Sequence, residues 1–255
     1  MMCKVISITN QKGGVGKTTT AVNLGAYLAD LGKKILILDF DPQGNAGSGL
    51  GVDITEIEST VYEVLLGDST YEETVIVTKV KNLSLLPSNI DLSGLEVDLR
   101  DNPDKDHILK KFLKTIEHNF DFILIDCPPS LGALTINALV ASNSVLIPLQ
   151  CEYFALEGLT QLLRIINLVQ KKLNTELELE GILLTMYDSR TNLASQVVSD
   201  VRAHFSAKVF EVIIPRNVKL SEAPSFGEPI GIYDPDSSGA LAYKKMAREL
   251  IDKNK

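Results

Sequence analysis

Short apolar runs rich in β-branched residues alternate along this chain with longer stretches whose apolar positions recur at helical spacing. The runs Lys4–Asn10, Lys34–Asp39, Leu83–Pro87, Phe120–Asp126, Ser144–Leu149, Gly181–Met186 and Val209–Ile214 predict strands. Helical patterns lie between most of them. Thr18 to Leu31 carries Ala21, Leu24, Ala26, Tyr27 and Leu28 on one recurrence, and near the C-terminus Tyr243, Met246, Ala247, Leu250 and Ile251 have the spacing of a helix packed on its own domain. Parallel strands need crossover helices and are buried on both sides, so the alternation predicts an α/β fold, a mainly parallel sheet covered by helices on both faces. No linker signal divides the chain, and residues 1–255 are expected to form a single domain whose 45% hydrophobic content is ample for a large core.

One stretch could be mistaken for a membrane span, because Cys127 to Cys151 contains no charged residue. Pro128, Pro129, Asn137, Asn143 and Pro148 interrupt it, and it reads instead as a strand end, a helix over Leu131–Ala141 and a buried strand. The chain enters its first strand directly after Met1-Met2-Cys3, which leaves no room for a secretory segment, and a cytoplasmic location is expected. Cys3, Cys127 and Cys151 form no CxxC pair, and the three histidines are scattered without metal-ligand spacing.

The candidate chemistry starts at the end of the first strand. In Thr9 to Leu24, TNQKGGVGKTTTAVNL, three glycines precede Lys17 and Thr18 at a strand-to-helix turn. Gly13, Gly14 and Gly16 allow the backbone N–H groups to converge on an anion at the positive end of the following helix. Lys17 would lie on the β- and γ-phosphates and the Thr18 hydroxyl on Mg²⁺. The usual P-loop has glycine five places before Gly16, and this chain has Gln11 there, followed by Lys12. Asp39 and Asp41 end the run KILILDFD two places apart, close enough to the phosphate turn to suggest handling of Mg²⁺ and water. Alternatively they cap the turn that follows. Asp126 closes another apolar run in the manner of a Walker B carboxylate.

The string KGGVGKTT resembles the deviant Walker A motif of the ParA/MinD family of P-loop ATPases. The segments ILDFDPQGNAGSGLG, FILIDCPPSLG, LLTMYDSRTNL and IPRNVKLSEAPSFGEPI resemble the chromosomal partition branch of that family, ParA/Soj, in the same order. The resemblance implies a P-loop NTPase with ATP and Mg²⁺ as cofactors, and ATP contacts from Lys12, Gly13, Gly14, Val15, Gly16, Lys17, Thr18 and Thr19, with Pro215 and Asn217 at the adenine. It places Thr18, Asp39 and Asp126 at the metal, the aspartates through water. Asp41 would orient the attacking water, and Lys12 would cross to the phosphates of the other subunit in an ATP-sandwich homodimer. Arg190 and Lys219 match positions that contact DNA phosphates, and a ParB-like centromere-binding protein is the implied partner that triggers hydrolysis. The expected function is therefore a DNA-partition switch ATPase, cytoplasmic and associated with the nucleoid.

Charge tempers the DNA reading. The chain has 25 basic and 33 acidic side chains, a formal net charge of −8. Residues 1–150 hold 12 basic and 19 acidic groups (−7) and residues 151–255 hold 13 and 14 (−1), so a local basic patch fits only the second part. The acidic stretch from Asp53 to Asp106 would suit a basic partner peptide. Lys219 keeps the charge of the arginine common in relatives but lacks its fork. Two alternatives stay open: a MinD-like ATPase that cycles on and off membranes through a C-terminal amphipathic helix, and a small-molecule enzyme on the same scaffold. No stable membrane association is expected, because no bulky apolar tail follows Ile251.

Overall fold

In the computed structural model, which describes residues 3–255, seven strands form one sheet: β1 Lys4–Ile8, β2 Ile35–Asp39, β3 Ile76–Val77, β4 Leu83–Leu86, β5 Phe122–Asp126, β6 Ser144–Gln150 and β7 Glu178–Thr185. Met1 and Met2, which entered the reading of the chain's start, lie outside the described residues. The order across the sheet is β3-β4-β2-β5-β1-β6-β7. All neighbours are parallel except β3, which pairs antiparallel with β4.

The pleat explains the layers, since alternate side chains of a strand face opposite sides. Ile6, Ile8, Ile35, Ile37, Leu124, Leu146 and Leu183 face the helices Lys17–Asp30 and Ser238–Lys253. On the other side Val5, Leu36, Leu38, Ile123 and Ile125 pack on the helix Ile108–Ile116, while Val145, Ile147, Ile182 and Leu184 pack on the helices Ala155–Lys172 and Asn192–Phe205. Strands buried on both faces read as the continuous apolar runs seen in the sequence. The C-terminal helix buries Tyr243, Met246, Ala247 and Leu250, and the Tyr243 hydroxyl lies 3.1 Å from Thr20 Oγ1 of the first helix.

One strand expectation is corrected, and one strand is added. Val209–Ile214 is not a strand. It runs beside β7, with Phe210 N donating to Ile182 O at 3.0 Å and Ile214 N to Leu184 O at 2.9 Å, but the ladder opens between them. There the Glu249 carboxylate of the C-terminal helix accepts from Glu211 N at 2.8 Å and Val212 N at 3.1 Å, so a side chain takes the donors that a ladder would use. β3 escaped notice because it is two residues long, with Val77 82% exposed.

Candidate nucleotide site at the carboxyl edge of the sheet

The central strands β1, β2 and β5 end level with one another. Ile8 is in register with Asp126 and Asp39 with Asp126, so the loops that follow converge on one edge, where parallel α/β sheets place their ligands. After β1 the chain turns through Gly14 at φ 73° and Gly16 at φ 91°, left-handed values that an L side chain adopts only at a cost, and Gly16 opens directly into the helix Lys17–Asp30. The turn is braced from below. Thr185 Oγ1 at the end of β7 donates to Val15 O at 2.9 Å, Asn10 Nδ2 donates to Pro148 O at 2.8 Å, and Asn10 Oδ1 accepts from Lys12 N at 3.0 Å.

A cleft of about 440 Å³ opens above this turn. Gly13, Gly14, Gly16, Lys17, Thr18 and Thr19 form its floor. Asp41, Gln43, Asn45, Ser48, Met186, Ala223, Pro224 and Glu228 line its sides. Lys17 is only 6% exposed, and its Nζ reaches Lys12 O at 3.3 Å. Burial lowers the Lys17 pKa, while the charge of Asp126 works in the opposite direction.

The three carboxylates differ in what they do. Asp39 is fully buried and serves as a cap, its Oδ1 accepting from Asp41 N at 3.2 Å and its Oδ2 from Ala46 N at 2.9 Å. Asp41 lies past the end of β2, so alternation along the strand does not align it with Asp39. It lines the cleft, and its Oδ1 accepts from Gln43 N at 3.1 Å. Asp126 is fully buried, and no donor meets either carboxylate oxygen in good hydrogen-bond geometry, the Thr18 hydroxyl being the one side-chain donor near it. Burial pushes its pKa up to about 7, helped by Asp41 and opposed by Thr18 and Lys17. Burial and Asp126 likewise raise Asp39.

Lys12 does not line the cleft of its own chain. Its Nζ pairs with Glu152 Oε2 at 2.7 Å, beyond the end of β6. Pro215 and Asn217 are also absent from the lining. The Asn217 amide donates to Ser238 Oγ at 2.7 Å and accepts from Lys219 N at 2.8 Å, and the same loop reaches the cleft later, through Ala223, Pro224 and Glu228.

Arg190 and Lys219 stand on neighbouring segments, because Tyr187 N donates to Ile214 O at 3.1 Å and Arg216 N to Tyr187 O at 2.9 Å. Each is held by an acid of its own turn. Arg190 forks onto Asp188 at 2.9 and 2.7 Å and holds that carboxyl well below the usual carboxylate range. Lys219 pairs with Glu222 at 2.9 Å and lies 5.6 Å from the Tyr233 ring.

Sequence reasoning missed several residues in and beside the cleft. Glu152 carried a legible signal, an acid just past the carboxyl end of a buried strand. Met186 carried none, yet it has φ 51° and lines the cleft, a backbone conformation uncommon outside Gly, Asn and Asp. Asn23 lines the cleft too, and its Oδ1 accepts from Ile230 N at 2.6 Å, tying the first helix to the loop that walls the site.

A glycine turn between a central parallel strand and a helix, followed by Lys-Thr and faced by a carboxylate on the neighbouring strand, defines a P-loop nucleotide-binding protein. The sequence profile of the family described as AAA domain matches residues 3–179. The chain is 55% identical over 249 residues to the sporulation initiation inhibitor protein Soj of Bacillus subtilis, covering 98% of each, and 56% identical over 250 residues to the chromosome-partitioning ATPase Soj of Treponema pallidum, again covering 98% of each. It is similar to the structure of cobyrinic acid a,c-diamide synthase from Mycobacterium smegmatis with bound ATP analog and magnesium, at 40% identity and TM-score 0.89, covering 99% of this chain and 96% of that one. The chain belongs to the ParA/Soj family of deviant Walker A ATPases.

Proposed function

We propose that this chain is an ATP-driven DNA-partition switch. ATP and Mg²⁺ bring two copies together as a sandwich, and the dimer binds DNA without sequence preference. A ParB-like protein at a centromere-like site stimulates hydrolysis and release, moving a chromosome or plasmid. The observation that carries this reading is the position of Lys12. Lys17 lies in its own cleft, whereas Lys12 points out of it, so the deviant lysine serves a phosphate that a second copy must bring.

The residues divide the work. Lys17 and the N–H groups of Gly13 to Thr19 grip the β- and γ-phosphates. The Thr18 hydroxyl and the donorless Asp126 carboxylate fit a hydrated divalent cation, which would give Asp126 the partners that the protein withholds. Asp39 stands behind them and fixes the turn that carries Asp41. Bound there, Mg²⁺ would supply neutralisation of the phosphate charge. Asp41, in the cleft wall, orients the attacking water, and Lys12 of the second copy stabilises the charge that develops on the transferred phosphoryl group. Met186, Ala223 and Pro224 provide an apolar wall suited to the adenine, with Pro215 and Asn217 shaping the loop behind it.

Arg190 and Lys219 meet backbone phosphates, contacts that position without reading sequence. Because Asp188 and Glu222 already hold these cations, each contact exchanges one ion pair for another. Useful affinity therefore needs both copies at once. Among the described residues no helix is long and apolar enough to cross a membrane, and the C-terminal helix spends its apolar face on the first helix. That packing favours DNA over a MinD-like membrane cycle, with the protein on the nucleoid within the cytoplasm. A small-molecule enzyme, the activity in the name of the 40% identical structure, would leave the paired Arg190 and Lys219 without a role.

Mixing two inactive variants tests whether Lys12 acts on a second copy. If Lys12 acts across the interface and Asp41 within its own chain, Lys12→Ala mixed with Asp41→Ala regains hydrolysis, since one site of each mixed dimer has both groups. If Lys12 acts within its own chain, no site in the mixture is complete and activity stays absent.

A further inference from the structure

Two aromatic side chains stand uncovered where β6 passes into the helix Ala155–Lys172. Tyr153 is 76% and Phe154 65% exposed, packed edge to face with ring centroids 5.1 Å apart. Aromatic side chains carry a large apolar surface, and Tyr in particular is enriched at the buried centres of protein interfaces.

The turn that bears them is fastened to the deviant loop. Glu152, the residue before Tyr153, accepts from Lys12 Nζ at 2.7 Å and from Gln150 Nε2 at 2.5 Å. Gln11 Nε2 donates to Gly158 O at 3.3 Å and Gln161 Oε1 at 3.1 Å, both on the helix that follows. The signature lysine and the aromatic pair are therefore presented as one unit beside the cleft. Other exposed apolar side chains, such as Val218, Phe226 and Ile232, lie on the loop and short helices of the last part of the chain and have no such tie.

We propose that Tyr153 and Phe154 are the apolar anchor by which two copies of this chain close in the ATP state. The proposal rests on the dimer reading given above. Lys12 lies outside its own cleft, so the phosphate it serves arrives with a second copy, and whatever surface moves rigidly with Lys12 meets that copy first. Under two-fold symmetry the same patch comes from both sides, and a patch of apolar aromatics beside a self-neutralised Lys12–Glu152 pair carries no like-charge penalty against itself. Closing the aromatics over the pair also excludes water from the lysine that must act on a phosphate.

The test uses Asp41→Ala, which holds ATP, as the parent, and compares it with the same chain carrying Tyr153→Ser and Phe154→Ser. Sedimentation equilibrium with ATP and Mg²⁺ gives the dimer constant, a fluorescent ATP analogue gives nucleotide binding by the monomer, and a melting curve checks the fold. The expected result is a dimer weakened at least about 30-fold, with nucleotide binding and melting unchanged, while Phe226→Ser leaves the dimer intact. Should the serine pair lower the melting temperature, Tyr153→Lys keeps Phe154 and sets like charges across the two-fold axis, and it too should block the dimer. A parent that fails to dimerise with ATP overturns the dimer reading itself. A parent that dimerises, together with aromatic variants that dimerise as well, leaves that reading standing and overturns the anchor.

Discussion

Replacing Asp126 by asparagine should stabilise the nucleotide-free protein while removing its response to Mg²⁺-ATP. The carboxyl is fully buried and has no donor in good hydrogen-bond geometry, and its pKa is raised from 3.8 to about 7. A group that binds its proton more tightly when folded makes stability fall as pH rises, here between about pH 4 and pH 7, with no further change above. The raised value corresponds to a ceiling of about 4 kcal/mol at pH 8, at about 1.4 kcal/mol per unit. An asparagine keeps the shape and discards the charge but brings an amide with no partner, worth about 1–3 kcal/mol. The net gain expected at pH 8 is about 1–3 kcal/mol, or several degrees in Tm for a chain of this size, and it should shrink by about 2–3 kcal/mol at pH 5, where the wild-type carboxyl is mostly protonated. Urea unfolding in EDTA from pH 5 to pH 8 measures both quantities, and the same titration with Mg²⁺-ATP should stabilise wild type far more than Asp126→Asn. If the variant is no more stable than wild type at pH 8, or if its advantage does not change with pH, Asp126 is not a strained buried charge awaiting a cation.

Three smaller tests address the frame and the edge of the site. Gly16→Ala puts a Cβ on a residue at φ 91° and should cost about 1–2 kcal/mol in the turn and most of the affinity for a fluorescent ATP analogue. Tyr243→Phe removes the hydroxyl opposite buried Thr20 and should lower unfolding stability by about 1 kcal/mol, with nucleotide binding unchanged. Arg190→Ala and Lys219→Ala should each weaken ATP-dependent DNA binding alike across sequences and reduce the slope of log affinity against log salt by about 1 for every phosphate left without its cation.

The sequence showed most of the frame because strands buried on both faces have to be apolar throughout, and six of the seven candidate runs became strands. The seventh failed for a reason absent from its own residues, since Glu249 from the distant C-terminal helix takes the donors of Glu211 and Val212. The glycine turn was legible because its conformation needs residues without Cβ at Gly14 and Gly16. What stayed hidden was the division of labour among near neighbours in sequence. Nothing in LDFD tells that Asp39 caps the next helix from beneath while Asp41 enters the cleft, because strand alternation stops at Asp39. The pairing of Lys12 with Glu152, 140 residues away, likewise depends on β1 and β6 being neighbours in the sheet.

The central claim is that nucleotide controls the number of DNA-facing cations by controlling the number of copies. The most direct measurement is binding to random-sequence DNA across a salt series, with ATP, with ADP and without nucleotide, for wild type, Asp41→Ala and Lys12→Ala. Tight, steeply salt-dependent binding by Asp41→Ala with ATP, abolished with ADP and absent in Lys12→Ala, is the expected result. Dimerisation with ATP but no DNA binding in any state would contradict the partition role, and liposome binding would then be the next measurement.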